Sequence, residues 1–141
     1  MDQKPAINSE LRGLIEKRMD HTIKAIEDTL QLILEKHEMR FEDMKDTIQG
    51  LEKSFTKLSQ KWNLEILYAL FLRNTIGFNE LKKILAINSR TLSDKLKTLK
   101  QYEYIRRVIA QGPPLRVTYS LTTRGRTTVL LALPLLYYSS G

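Results

Sequence analysis

No cysteine occurs among the 141 residues, which excludes disulfides, thiolate zinc sites and redox or nucleophilic chemistry at sulfur. Histidine is nearly as scarce. His21 and His37 are the two copies, and sixteen residues of one helical pattern separate them by about 24 Å, too far for a shared metal site within one chain. Long apolar runs are missing as well. The longest, Val129 to Tyr138, is shorter than the roughly 20 residues that cross a bilayer, and it contains Pro134. The opening MDQKPAINSE is polar, interrupted by Pro5, and carries no secretory signal. These absences together lead to the expectation of a soluble, cytoplasmic chain with no membrane partner. No nucleophile–base pair, glycine-rich phosphate loop or metal-ligand spacing is present, and Gly112-Pro113-Pro114 reads as a turn. The reading is therefore of a non-enzyme that holds neither metal nor cofactor.

What is present is a globular composition, 42% hydrophobic and 28% charged. The net charge of +7 is unevenly spread: residues 1–60 hold ten Lys/Arg against twelve Asp/Glu, and residues 61–141 hold thirteen against four. A basic half of this kind is the footprint of a polyanionic partner, and equally of a surface tuned for solubility or for another partner.

Residues 1–8 read as a tail. From Ser9, an expected N-cap, apolar residues recur at helical spacing through Leu11, Ile15, Met19, Ile23, Ile26, Leu30 and Ile33. Beyond His37 the spacing alternates between three and four at Phe41, Met44, Ile48, Leu51, Phe55, Leu58 and Trp62, a heptad pattern. The even spacing at Ile33, His37 and Phe41 is a stutter, and Gly50 marks a second weak point. A narrow stripe of this length calls for a partner. A second copy of the chain is the favoured one, through Leu30, Ile33, Phe41, Met44, Ile48, Leu51 and Phe55. A fold-back that breaks near His37 or Gly50, and a tether to a different protein, are the alternatives. The organisation that follows is a tail over 1–8, a coiled-coil-like dimerisation region over 9–56, a globular domain over 57–135 and a tail over 136–141.

The globular part opens with WNLEILYALFL, expected to be a buried helix over Trp62–Leu72. Ile76-Gly77-Phe78 is a strand stub, and Asn79 is placed to cap a short helix through Leu85. After a tight turn, Asn88 to Tyr102 (NSRTLSDKLKTLKQY) sets Leu92, Leu96 and Leu99 on one helical face and Arg90, Thr91, Asp94, Lys97, Thr98 and Gln101 opposite, with Lys95 beside them. Two helices joined by so short a turn follow the helix-turn-helix plan. Past Tyr102 the period becomes alternating, with strand formers over Tyr104–Ile109 and Arg116–Leu121 around a turn-rich tip. That predicts a β-hairpin flanked by arginines. Thr122 or Thr123 then caps a last helix, which Pro134 kinks or ends.

The residues also carry a family resemblance. Lys61–Leu67 (KWNLEIL), Gly77–Leu81 (GFNEL), Ile87–Leu96 (INSRTLSDKL) and Pro113–Gly125 (PPLRVTYSLTTRG) occur in that order. Together they resemble HxlR-type transcriptional regulators of the wider MarR-like group, over roughly residues 60–135. The resemblance implies a mainly α winged helix-turn-helix fold with a small β-hairpin. It also implies a homodimeric regulator of double-stranded DNA, acting on a pseudo-palindromic operator. Two features depart from the family. Ser59 and Gln60 stand where a cysteine commonly precedes the tryptophan, so thiol sensing of that kind is ruled out here, and the N-terminal helical region is unusually long.

On this plan Arg90, Thr91, Asp94, Lys95, Lys97 and Thr98 are the candidates for contacts in the major groove. Arg90 is the first choice for a base, because its fork matches guanine O6 and N7. Asp94 either accepts from cytosine or pairs within the helix with Lys97 or Thr98. Asn79 and Ser89, at helix starts, serve as phosphate contacts or simple caps. Arg107, Gln111 and Arg116 flank the hairpin and would reach the minor groove or its phosphates. The sequence leaves room for a small-molecule effector without specifying one. The rival reading is a winged-helix interaction or scaffold module without specific DNA binding.

Overall fold

The computed structural model describes residues 4–140, which form two compact units. One comprises residues 54–131, and the other the segments before 54 and after 131. In chain order the elements are α1 (Lys4–His37), α2 (Phe41–Ser59), α3 (Asn63–Arg73), β1 (Ile76–Gly77), α4 (Phe78–Leu85), α5 (Ser89–Gln101), β2 (Ile105–Ala110), β3 (Arg116–Leu121) and α6 (Thr123–Ser139).

The helical unit departs from its expected boundaries. α1 starts at Lys4, so Ser9 lies inside the helix and does not cap it. Pro5 is compatible with this because the first-turn N–H groups have no intrahelical acceptor to lose. The remainder of the expected N-terminal tail, residues 1–3, lies outside the described residues. The chain breaks after His37 and not at Gly50, which sits within α2. Lys36 places a cationic side chain at the negative end of α1's dipole, with His37 beside it, and Glu38 turns the backbone at φ 47°. α2 restarts with one half of a capping box, the Arg40 N–H donating to Asp43 Oδ2 at 3.2 Å. At the other end, α6 continues through Pro134 to Ser139 where a tail was expected. The end of α6 is clasped to the start of α1. Arg12 donates from Nη1 to the Tyr137 carbonyl and from Nη2 to Ser140 Oγ, each at 3.0 Å, with its guanidinium 5.1 Å from the centre of the Tyr137 ring. The Tyr137 hydroxyl donates to Asn8 Oδ1 at 3.3 Å.

The second unit holds the core. Ile66, Leu67 and Leu70 of α3, Leu81 of α4, Leu92, Leu96 and Leu99 of α5, and Ile76, Ile105 and Tyr119 of the sheet are buried together. Trp62 packs at the edge of this cluster and takes the αL conformation at φ 79° just before α3. Val129 closes the cluster from α6, and Tyr68 ties α3 to α6 by donating to the Val129 carbonyl at 2.8 Å. Burial pushes the Tyr68 phenol above its ordinary pKa of 10.0. The sheet order is β1-β3-β2, all antiparallel, with Ile76 opposite Tyr119 and Ile105 opposite Leu121. Three helices, a two-residue strand, a long hairpin and a following helix make this a winged helix-turn-helix domain.

The hairpin root is fixed by unusually close packing. Thr122 donates from its backbone N–H to the Tyr104 carbonyl at 3.0 Å and from its hydroxyl to the Glu103 carbonyl at 2.6 Å. The same hydroxyl accepts from the Gly125 N–H at 3.0 Å, which makes Thr122 the N-cap of α6. Gly125 is pressed so tightly against this junction that a Cβ would lie 2.0 Å from the Tyr104 carbonyl oxygen. Gly125→Ala is therefore expected to destabilise the chain by about 3 kcal/mol, at the top of the usual overpacking range, or by more. Chemical denaturation measures it, and an unchanged midpoint would mean that the Tyr104 backbone yields freely.

Candidate nucleic-acid interface

The helix-turn-helix is built by a three-residue turn. Ala86 takes a left-handed conformation at φ 52° and returns its N–H to the carbonyls of Lys82 and Lys83. Ile87 is then driven into the core, its N–H bonded to the Lys82 carbonyl at 3.2 Å. Asn88 caps α5, accepting from the Thr91 N–H at 2.8 Å. Ser89 is thus the first residue of α5 and not its cap. Asn79 is likewise no cap: Gly77 occupies that position, and Asn79 lies exposed in the first turn of α4.

The three leucines of α5 are at most 2% exposed. That burial fixes the helix's rotation, since 100° per residue leaves Arg90, Asp94, Lys97 and Gln101 centred on the opposite side. All four are exposed. Thr91, Lys95 and Thr98 are half-buried on the flanks of that face. The Thr98 hydroxyl donates to the Asp94 carbonyl at 3.0 Å, so it bonds the helix backbone and not the Asp94 carboxylate. Among the described residues neither Asp94 nor Lys97 enters a salt bridge.

The hairpin pairs six residues of β2 with six of β3, from Ile105 opposite Leu121 to Ala110 opposite Arg116. Alternation along the strands gives each arginine its side. Arg107 shares a face with Ile105, Ile109 and Tyr119, whereas Arg116 shares the other with Arg106, Thr118 and Ser120. The two arginines expected to act together thus point to opposite faces of the hairpin. Gln111 begins the exposed tip, where Gly112 takes φ 125°, a conformation that suits glycine. Arg116 and Asn79 meet, however, at the rim of one open cleft of about 810 Å³, together with Thr118 and Glu80.

Reading the sequence alone overlooked Arg106, which shares the face of Arg116. The signal was available in the register: once Ile105 is set opposite Leu121, strand parity fixes the side of every arginine in the hairpin. The electrostatics of the unit are strongly one-sided. Residues 54–131 contain fourteen Lys/Arg and four Asp/Glu. Two of those carboxylates are engaged: Glu80 accepts from Arg73 at 2.6 Å, and Glu103 lies 3.8 Å from Arg124. The cations of α5 and of the strands have no carboxylate within salt-bridge distance among the described residues. Among those residues, too, no group of three His, Asp or Glu side chains converges as a metal site, and no helix is long and apolar enough to cross a membrane.

Comparison with known proteins agrees with this geometry. A family model described as HxlR-like helix-turn-helix matches residues 57–136. The chain is 36% identical over 77 residues to the uncharacterized HTH-type transcriptional regulator YdzF of Bacillus subtilis (strain 168), covering 54% of this chain and 71% of that protein. It is 30% identical over 76 residues to the HTH-type transcriptional regulator YodB of the same organism, covering 53% and 67%. Among solved structures, diamide-treated YodB from B. subtilis superposes with a TM-score of 0.53 at 29% identity, covering 62% of this chain and 85% of that one. A MarR-family regulator from Enterococcus faecalis V583 superposes with a TM-score of 0.58 at 27% identity, covering 65% and 83%.

Proposed function

The chain belongs to the HxlR-like helix-turn-helix family, and from that premise we propose how it works as a DNA-binding transcriptional regulator. α5 enters the major groove with Arg90, Asp94 and Lys97 toward the base edges and Thr91, Lys95 and Thr98 along the groove walls. Ser89 at the start of α5 and Asn79 in the first turn of α4 meet backbone phosphates. The hairpin lies over the adjacent minor groove or its phosphates, with Arg116, Arg107 and Gln111 as its contacts. The observation that carries this reading is the division of α5, with three leucines sealed in the core and an opposite polar face open, on a unit with fourteen cations and four carboxylates. The same excess of unpaired cations favours duplex DNA over a scaffold role.

The chain acts as a homodimer in this proposal. Leu30, Ile33, Phe41, Ile48, Leu51 and Phe55 are exposed, Phe41 to 77%, and Met44 is half-buried. Among the described residues the end of α6 is hydrogen-bonded to Asn8 and Arg12, at the start of α1. From Thr22 to Ile33, α1 carries an open groove of about 440 Å³ lined by Ala25, Ile26, Leu30 and Ile33 together with Thr22 and Thr29. A second copy would cover that groove and the α2 stripe, in the manner of a helical seam. A twofold dimer favours half-sites about one helical turn apart, roughly 34–36 Å.

Three measurements test these assignments. Arg90→Ala should lose about 1–3 kcal/mol on a preferred duplex selected from a random library, and should relax its sequence preference. Unchanged affinity and preference would remove Arg90 from the reading face. Arg116→Ala should weaken all duplexes alike and reduce the salt slope by about one; an unaltered slope strikes it from the contacts. Light scattering on a size-exclusion column should return twice the mass of the chain at micromolar concentration, and a single-chain mass would sink the dimer.

A further inference from the structure

At the root of the hairpin, where α3 ends and α6 begins, the second unit contains a cavity of about 240 Å³. It lies about 20 Å along the six-residue strands from the tip, apart from the residues assigned to DNA above. Leu70 is part of its wall, and Asn74, Arg106, Ser120, Thr123 and Arg126 supply polar side chains. No Asp or Glu lines it.

Each of these side chains is positioned by an independent part of the fold. Arg126, on the first turns of α6, holds its guanidinium over the Phe71 ring at 4.9 Å from the centroid. A cation–π contact of this kind holds the guanidinium near the ring while its N–H groups can still donate. Arg106 is set opposite Ser120 by the strand register. Asn74 is the residue that terminates α3, at φ 68°. Among the described residues neither arginine has a carboxylate within salt-bridge distance. Among the described residues Asn74, Arg106, Ser120, Thr123 and Arg126 make no side-chain hydrogen bond, whereas Thr122, which also lines the cavity, is engaged with Glu103 and Gly125. Two positive charges therefore line one small concavity with donors on several sides and no internal counter-charge. Both arginines are exposed, so solvent screens their mutual repulsion, and an anion with several acceptor oxygens would gain charge-assisted contacts from each.

The geometry points to a binding site for a small oxyanion, a phosphate group being the chemistry that best matches two forks and a ring of neutral donors. The group belongs to a free ion or metabolite; the phosphates of a DNA backbone are the other source of the same chemistry. Because the cavity walls include β2, β3 and the start of α6, the occupant would sit where the hairpin is anchored.

The test uses the full chain without DNA. Inorganic phosphate is titrated against sodium chloride at matched ionic strength, with binding read by calorimetry and by the thermal midpoint. Wild type should bind phosphate saturably, and Arg106→Ala and Arg126→Ala should each weaken it about tenfold, as loss of one charge-assisted contact implies. Should Arg126→Ala fail to fold for want of its contact with Phe71, the exposed Arg106 carries the test alone. A phosphate response no larger than that of chloride, or one unchanged in the variants, overturns the site. So does an absent phosphate response combined with an Arg126→Ala duplex salt slope lowered by about one, which would assign the arginine to the DNA backbone. The phosphate measurement does not depend on duplex binding, so either reading can fail without the other.

Discussion

The junction of Tyr104, Thr122 and Gly125 is the constraint on which the winged unit depends. One carbonyl, that of Tyr104, accepts from the backbone of Thr122, and the absence of a side chain at Gly125 lets α6 pass against it. The neighbouring Glu103 carbonyl accepts the Thr122 hydroxyl. These contacts bring the end of α5, the start of β2, the end of β3 and the first turn of α6 to one place. Without them the hairpin would have a free root, and the face of α5 would not stand in a fixed relation to the arginines of the wing. The threonine hydroxyl serves twice, donating to the turn that leads into β2 and capping α6.

Around that junction, burial and charge divide the labour. The leucines of α5 and the aliphatic residues of α3 define the rotation of α5 through ordinary core packing, so its outer face needs no interactions of its own to stay in place. Its polar side chains are thereby free to be chosen for a partner. The same logic governs the hairpin, where pairing from Ile105 to Ala110 fixes side-chain direction and leaves Arg106, Arg107 and Arg116 exposed. The relation between YodB and this chain needs one qualification in chemical terms. A relative was crystallised after treatment with a thiol oxidant, but this chain contains no sulfhydryl on which such a reagent could act. An anion held by Arg106 and Arg126 would be a different kind of input altogether.

Much of the fold was legible because periodicity is a direct imprint of burial. The spacing of Leu92, Leu96 and Leu99 fixed α5 and its outer face, and the alternation of Val117, Tyr119 and Leu121 fixed β3. The hairpin ends were legible from its turn residues, Gly112 and the prolines. Boundaries were less so, because they rest on single backbone choices. Propensity nominates Ser9, Asn79 and both Asn88 and Ser89 as caps. The fold selects Asn88, where Ile87 must enter the core, and Gly77, where the chain leaves a paired strand. The sides of Arg107 and Arg116 depend on cross-strand register, which neither strand encodes alone. The cavity at Arg106 and Arg126 was illegible for a stronger reason, since it joins residues from α3, both long strands and α6 that share no local pattern.

The segregation of charge also bears on how fast the protein finds a site. A unit with fourteen cations and four carboxylates is drawn to any duplex over a distance of about one Debye length. Association is then steered before any base is read, and weak non-specific contacts allow sliding and hopping along the duplex. The rest of the chain carries nine Lys/Arg against twelve Asp/Glu, so it adds no such attraction. The positive charge that would steer such a search is thus concentrated in one unit, and the other adds none of it.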